Sequence, residues 1–233
     1  RGRPTANESF GNAASVLVSD FLYSRAFQMM VECGSMRVMD ILAEATNVVA
    51  EGEVLQLMNM HDADLTQESY LRVIRSKTAK LFEASARLAA VLAGADASIE
   101  TACATYGQAV GTAFQLVDDA LDYQGDATTL GKNIGDDLRE GKVTLPLIIA
   151  MQRASQADAD LIRSVVEQPE AGRLAQQLDA ILAVIRQTDA LQVTHEAARA
   201  ESERAIDALG ALPQSIYKQA LIELATQSLV RKA

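Results

Sequence analysis

Gly107-Gln108-Ala109-Val110-Gly111-Thr112-Ala113-Phe114-Gln115-Leu116-Val117-Asp118-Asp119-Ala120-Leu121-Asp122 is the stretch around which the rest of the chain is arranged. Read as a helix at 100° per residue, it places Asp122 within about 40° of Asp118 and Asp119 within about 100°, so three carboxylates share one arc. Gln115 falls one turn earlier, between Asp118 and Asp119, with Phe114 beside them. Gly107 and Gly111 lie directly below, and a glycine stripe under an acid cluster leaves a groove where something can lie against the helix.

Adjacent carboxylates raise one another's pKa and are costly without a partner. A hard, oxygen-seeking ion such as Mg2+ answers that cost, because it takes one or two carboxylates and keeps its other positions for water and phosphate oxygens. A solvated acidic helix face is the alternative that the run alone leaves open. Residues 125–146, Gly125-Asp126-Ala127-Thr128-Thr129-Leu130-Gly131-Lys132-Asn133-Ile134-Gly135-Asp136-Asp137-Leu138-Arg139-Glu140-Gly141-Lys142-Val143-Thr144-Leu145-Pro146, hold four glycines and two Gly-Lys pairs and show no apolar period. They read as a long loop between helices, of a length that is usually functional, and as one that closes when a metal-bound diphosphate arrives. The loop is not a P-loop, since five residues separate Gly125 from Gly131 and Asn133 follows Lys132. Carboxylates with Mg2+ and nearby lysines together suit a diphosphate.

Phe114-Gln115 before Asp118-Asp119-x-x-Asp122, then Gly131-Lys132 and Asp137-Leu138-x-x-Gly141-Lys142-x-Thr144-x-Pro146, resemble the second aspartate-rich motif and following loop of trans-polyprenyl diphosphate synthases. The run Gly11 to Gln28, with Val16-Leu17-Val18-Ser19-Asp20-Phe21-Leu22, is similar to the octaprenyl-forming members, as is Ala50-Glu51-Gly52-Glu53-Val54-Leu55-Gln56-Leu57, in a helix that walls the prenyl tunnel in that family. Lys77-Thr78-x-x-Leu81-Phe82 matches a family site where the lysine contacts the allylic diphosphate. Arg1, before Gly2-x-Pro4-Thr5, matches the second of two family arginines that grip diphosphate.

Composition limits the alternatives. The 233 residues carry no linker-like stretch, so a single domain over residues 1–233 is expected. Hydrophobic residues make up 49%, with no Trp and four Pro, which favours helix throughout. A net charge of −10 and a pI near 4.7 oppose nucleic-acid binding. Cys33 and Cys103 have no ligand spacing, which fits a reducing cytoplasm. No apolar run approaches the roughly 18 residues of a membrane span.

Helical periodicity predicts a first helix from about 10 to 30, with Val16, Leu17, Phe21, Phe27 and Met30 directed to core or subunit interface. A second runs from 36 to 59, directing Val38, Ile41, Leu42, Ala45, Val48, Val49, Gly52 and Leu55 inward, and a third from 67 to 93 has Thr66 as its cap. A short apolar helix, 147–153, precedes three or four amphipathic helices from about 158 to 232, broken near Pro169–Gly172 and Gly210–Pro213. His61 reads as a loop or capping residue, and His195 as packing.

The resemblance implies an all-α, isoprenoid-synthase-type bundle of long helices around a central cavity, paired as a homodimer. It implies extension of an allylic diphosphate, such as farnesyl diphosphate, by isopentenyl diphosphate to a long-chain all-trans product. Octaprenyl, for a quinone side chain, is the expected length. Asp118, Asp119 and Asp122 are the expected Mg2+ ligands. Lys77 and Lys132 would bind diphosphate with Arg1, Thr78, Phe114 and Gln115 would line the site, and Lys142 would either join them or neutralise Asp136 and Asp137. A first aspartate-rich motif is expected upstream of Arg1, so the chain reads as N-terminally incomplete and, on its own, inactive. Two rivals remain open: a terpene cyclase on the same fold, disfavoured by only 4% aromatic residues, and a non-catalytic helical partner subunit.

Overall fold

A computed structural model describes residues 4–124, 134–168 and 171–230, and every regular element among them is helical. Arg1 and Lys132 lie outside the described residues, as do the rest of 125–133 in the 125–146 loop and the Pro169-Glu170 break. The elements are α1 (Ala6–Glu32), α2 (Met36–Met58), α3 (Gln67–Ile74), a π turn (Arg75–Ala79), α4 (Lys80–Leu92) and α5 (Ala97–Leu121). A one-turn α6 (Asp136–Arg139) follows, then α7 (Leu145–Arg153), α8 (Gln156–Glu167), α9 (Ala171–Gln187), α10 (Ala190–Ala208), a 3-10 turn (Leu209–Ala211) and α11 (Ile216–Gln227). Among the described residues no helix is long and apolar enough to cross a membrane.

The organising stretch forms the C-terminal part of α5. Asp96 starts this helix, its carboxylate accepting from the amides of Ser98 (2.9 Å) and Ile99 (3.0 Å). Packed against α5 are α10, α4, the π turn and α7. Leu116 and Val117 enter a core with Leu145, Leu147, Ile148, Ile162, Val165, Ile181 and Ile185, drawn from α7, α8 and α9. One turn of α7 after another is buried from Leu145 to Ala150, as expected of a helix apolar all round. The other half of α5 packs Tyr106, Ala109 and Val110 on Ala205, Leu209 and Ala225.

Three expectations change. The glycine stripe on α5 is filled by the chain itself. A Cβ on Gly111 would meet Ala79 Cα at 2.6 Å, and one on Gly107 would meet Glu83 Cα at 2.8 Å, so α4 and the π turn occupy the groove. The helix expected over 67–93 is divided by the wide turn at Arg75–Ala79, although Thr66 caps it as expected, its hydroxyl accepting from the Ser69 amide at 3.1 Å. The apolar stripe of α1 does not reach this chain's core. Met30 is buried, but Val16, Leu17 and Phe21 are 58, 67 and 65% exposed. On α2, Val38, Ile41, Ala45 and Gly52 are buried as expected, while Leu42, Val48, Val49 and Leu55 are half-buried.

Candidate active site

A cavity of about 90 Å3 opens between α2, the α3–π-turn segment, α5 and the loop before α7. Lys77, Thr78, Gln115, Asp119 and Lys142 all line it, five residues that the sequence singles out from three separate regions. Asp118, Asp122 and Phe114 are not in its wall.

Asp119 is its most constrained group, 3% exposed. Its Oδ2 accepts from the Tyr70 hydroxyl at 2.6 Å and its Oδ1 from Gln115 Nε2 at 2.7 Å. Gln115 Oε1 in turn accepts from the Thr78 hydroxyl at 3.0 Å. Burial pushes the Asp119 carboxyl up to about 7 and the charge of Asp137 adds to the rise, against the pull of the Tyr70 and Gln115 hydrogen bonds. Asp122, at the C-terminal end of α5, is likewise raised to about 7, first by burial and then by Asp137. Its Oδ2 accepts from the Asp137 amide at 3.2 Å and its backbone carbonyl from the Gly135 amide at 2.9 Å, so the loop is stitched to the end of the acidic helix.

Two lysines face these acids. Lys77 Nζ donates to Gln56 Oε1 at 2.7 Å and pairs with Glu53 at 3.0 Å, both from the polar patch of α2. Lys142 pairs with Asp137 at 3.1 Å and Glu140 at 2.5 Å. Burial alone would lower Lys142, but Glu140 and Asp137 outweigh it and hold the ammonium well above its usual range. Asp136 is paired instead with Arg139, at 2.6 Å. Gly141 sets the loop's course, with φ +81°, and the His61 ring lies where its Cβ would be. His61 receives no metal role: its amide donates to the Gly141 carbonyl (2.8 Å) and its Nδ1 to that of Val166 (3.0 Å).

A larger apolar groove of about 670 Å3 runs along the other side of α5, lined by Leu81, Phe82, Val110, Phe114 and Leu224 among others. The Phe82 and Phe114 rings meet there at 5.6 Å. Because Phe114 and Gln115 are consecutive, one helix presents an apolar wall to the groove and a polar wall to the cavity.

Among the described residues no three His, Cys, Asp or Glu side chains converge into a metal cage. The donor chemistry still fits Mg2+, which needs only one or two carboxylates and completes its octahedron with water and phosphate. Asp119 and Asp122, pushed toward neutrality by burial and by Asp137, are carboxylates whose charged forms a divalent cation would stabilise.

Sequence reading missed Tyr70, which reaches Asp119 from another element, and gave Asp137 no part beyond pairing with Lys142, although its charge also raises Asp119 and Asp122. Thr144 begins α7 without capping it, and its buried hydroxyl stands beside that of Tyr123. His195, expected to be inert, sits with Nε2 3.0 Å from Gln124 Oε1 just beyond Asp122. A mid-helix glycine, which costs about 1 kcal/mol without a packing reason, was the available signal for the site's placement: a Cβ on Gly52 would stand 2.9 Å from Lys77 Cα.

The sequence and the fold have counterparts among known proteins. The family model for polyprenyl synthetase matches residues 1–184. Octaprenyl diphosphate synthase of Escherichia coli strain K12 is 51% identical over 225 residues, which are 97% of this chain and 69% of that protein. The Haemophilus influenzae octaprenyl diphosphate synthase is 50% identical over 99% of this chain and 69% of its own length. A polyprenyl synthase from Caulobacter crescentus, crystallised with calcium and isoprenyl diphosphate, superposes with a TM-score of 0.91 at 43% identity, over 100% of this chain and 70% of that one. With the family model matched over most of its length and its fold shared with such relatives, the chain belongs to the polyprenyl synthetase family.

Proposed function

We propose that the protein, as a single domain, extends an allylic diphosphate with isopentenyl diphosphate units to a long-chain all-trans polyprenyl diphosphate, with octaprenyl as product. The observation that carries this reading is the junction on α5, where a lysine- and aspartate-lined cavity stands back to back with an apolar groove at Phe114-Gln115. A polyprenyl diphosphate has that same division between a charged head and an apolar tail. The octaprenyl length rests on the likeness to the two octaprenyl synthases.

In the reaction, the C1–O bond of the allylic diphosphate breaks with its electron pair leaving on diphosphate. The double bond of isopentenyl diphosphate attacks the resulting allylic cation, and loss of a proton restores an alkene. Asp118 and Asp119 would hold Mg2+, with Asp122 supporting them directly or through water, and the ion would supply charge neutralisation for the departing diphosphate. Lys77 and Lys142 would bind diphosphate oxygens as point charges. Lys77's present bonds do not prevent this, because a pair with a half-exposed glutamate is worth only about 0–1 kcal/mol and yields to a multiply charged ligand. Gln115 and Thr78 would orient the head group, and the small enclosed cavity would keep water from the cation. Lys132 and Arg1 match family positions and complete the proposal by resemblance alone.

The exposed apolar face of α1, including Leu17, Phe21 and Leu22, supports a homodimer in which a second copy covers it. Family membership weighs against a cyclase, and the assembled lysines and aspartates weigh against a non-catalytic partner. Incubating the gene product with farnesyl diphosphate, radiolabelled isopentenyl diphosphate and Mg2+, then separating the dephosphorylated alcohols by chain length, tests the reading. The C40 alcohol is expected, and no incorporation, or release of a cyclic hydrocarbon, would overturn it.

A further inference from the structure

We infer that Tyr70 is a positioning residue for the Asp119 carboxylate, and that the π turn exists to let Tyr70 and Thr78 hold that carboxylate from one side. The inference rests on the proposed part of Asp119 in holding a metal-bound diphosphate. Tyr70 and Asp119 are each 3% exposed, and their 2.6 Å contact has the short length of a hydroxyl donating to an ionised acid. Such a bond, fully removed from water, fixes its acceptor more firmly than a surface contact does.

The second oxygen of Asp119 is fixed by a relay. The Thr78 hydroxyl donates to Gln115 Oε1, which obliges the Gln115 amide nitrogen to face Asp119, and that nitrogen donates to Oδ1. Both ends of the carboxylate therefore lead back to one segment, at positions 70 and 78. In a regular α-helix eight residues turn through two circuits plus about 80°, which would place Tyr70 and Thr78 on different faces. The π turn at Arg75–Ala79 takes up one additional residue and brings the offset down to about 20°, so both hydroxyls face α5. Each carboxylate oxygen accepts one of these bonds and keeps a further lone pair. Rotation of the carboxylate about its own axis would break both bonds at once, so the remaining lone pairs have a fixed aim. Tyr70 itself uses its one hydroxyl hydrogen in the bond to Asp119 and has none left to offer a ligand.

The test is calorimetric binding of inorganic diphosphate with Mg2+, beside melting curves without ligand, for wild type, Tyr70→Phe, Asp119→Asn and the double variant. Tyr70→Phe keeps the ring and removes only the hydroxyl. Loss of a hydrogen bond to a charged group should raise Kd about ten- to hundredfold in the wild-type background. In the Asp119→Asn background the same change should alter Kd by less than about twofold, since little carboxylate charge remains to be aimed. Thr78→Val, acting through the neutral Gln115 relay, should give a weaker effect of about fivefold and serves as the second variant if Tyr70→Phe does not fold. A Tyr70→Phe protein that melts earlier but binds within twofold of wild type would overturn the inference while leaving the proposed function standing, as would an equal loss in both backgrounds. Absence of binding by wild type would overturn both.

Discussion

Gly52→Ala probes the packing that places Lys77 and Thr78. A Cβ at Gly52 would stand 2.5 Å from the Lys77 backbone nitrogen and 2.9 Å from both Lys77 Cα and the Ser76 carbonyl carbon. All three are main-chain atoms, so no change of rotamer relieves the overlap. Carbon atoms in ordinary contact lie about 3.5–4.0 Å apart, so α2 or the π turn must withdraw by roughly 1 Å. Alanine is favoured over glycine inside a helix by about 1 kcal/mol, while overpacking costs about 1–3 kcal/mol, leaving a net loss of about 1 kcal/mol. The stability change is therefore small. The functional change is not, because Lys77 and Thr78 ride on the displaced backbone and a 1 Å misplacement costs roughly a hundredfold in rate. Urea unfolding should show a slightly lowered midpoint, and turnover of isopentenyl diphosphate should fall by about two orders of magnitude. Gly210→Ala is the control, since nothing lies within 4 Å of its added methyl, and it should change neither measurement. A Gly52→Ala protein about 1 kcal/mol more stable than wild type, with wild-type turnover, would refute the reasoning.

Asp118→Ala should cut turnover by about 10²–10³ with unfolding midpoints unchanged, whereas Asp119→Ala should in addition lose about 1–3 kcal/mol by stranding the buried Tyr70 hydroxyl; equal midpoints for the two variants would contradict the Tyr70–Asp119 contact. Asp119 and Asp122 have folded-state pKa values of about 7 against an unfolded 3.8, so the folded metal-free chain binds more protons between pH 4 and 7 and its stability falls as pH rises through that window. Melting temperature should therefore drop from pH 5 to pH 7.5, with at most about 2.5 kcal/mol from each group over that interval, and Mg2+ with diphosphate should stabilise more at pH 7.5 than at pH 5; a metal-independent rise with pH would reverse the assignment. Leu17→Asp on α1, a position 67% exposed in the single chain, should convert a dimer to monomer in sedimentation without loss of helical content, and an unaltered dimer would place the interface elsewhere.

The helices were legible because their signals are local. Thr66 caps as its residue type requires, and the apolar period locates α2 to within a residue or two. The candidate site was legible in part, for Lys77, Thr78, Gln115 and Asp119 do share one cavity; helical spacing singled out Gln115 and Asp119, whereas Lys77 and Thr78 came through motif resemblance. What was hidden depends on register between helices. Nothing in the residues 75–79, Arg-Ser-Lys-Thr-Ala, marks a wide turn, and without the turn Tyr70 has no reason to meet Asp119. The glycines of α5 gave a correct signal of close approach with the wrong occupant, since spacing cannot distinguish a ligand from α4. The stripe on α1 likewise marks burial without saying against what, and among the described residues Val16, Leu17 and Phe21 stay exposed.

The arrangement of charge makes sense of why carboxylates and lysines are mixed in so small a space. Lys77 and Lys142 are each already paired with acids, so among the described residues the cavity wall offers no surplus positive charge to a free diphosphate. Asp119 and Asp137 in its wall would repel such an anion, and at about 4 Å one pair of like charges costs about 4 kcal/mol near a protein surface. A divalent cation alone gains from the aspartates but leaves the lysines bound to their glutamates. Cation and diphosphate arriving together resolve both problems: the aspartates face the ion, and the lysines exchange weak pairs with Glu53 and Glu140 for a multiply charged head group. The orientation of Asp119 matters in that exchange because it is the one carboxylate whose two oxygens are both already tied, through Tyr70 and Gln115, to the segment that carries Lys77. The hydroxyls that orient Asp119 and the lysine for the diphosphate thus share a single stretch, residues 70–78, which Gly52 allows to lie directly against α2, while Gly107 and Gly111 let residues 79–83 lie against α5.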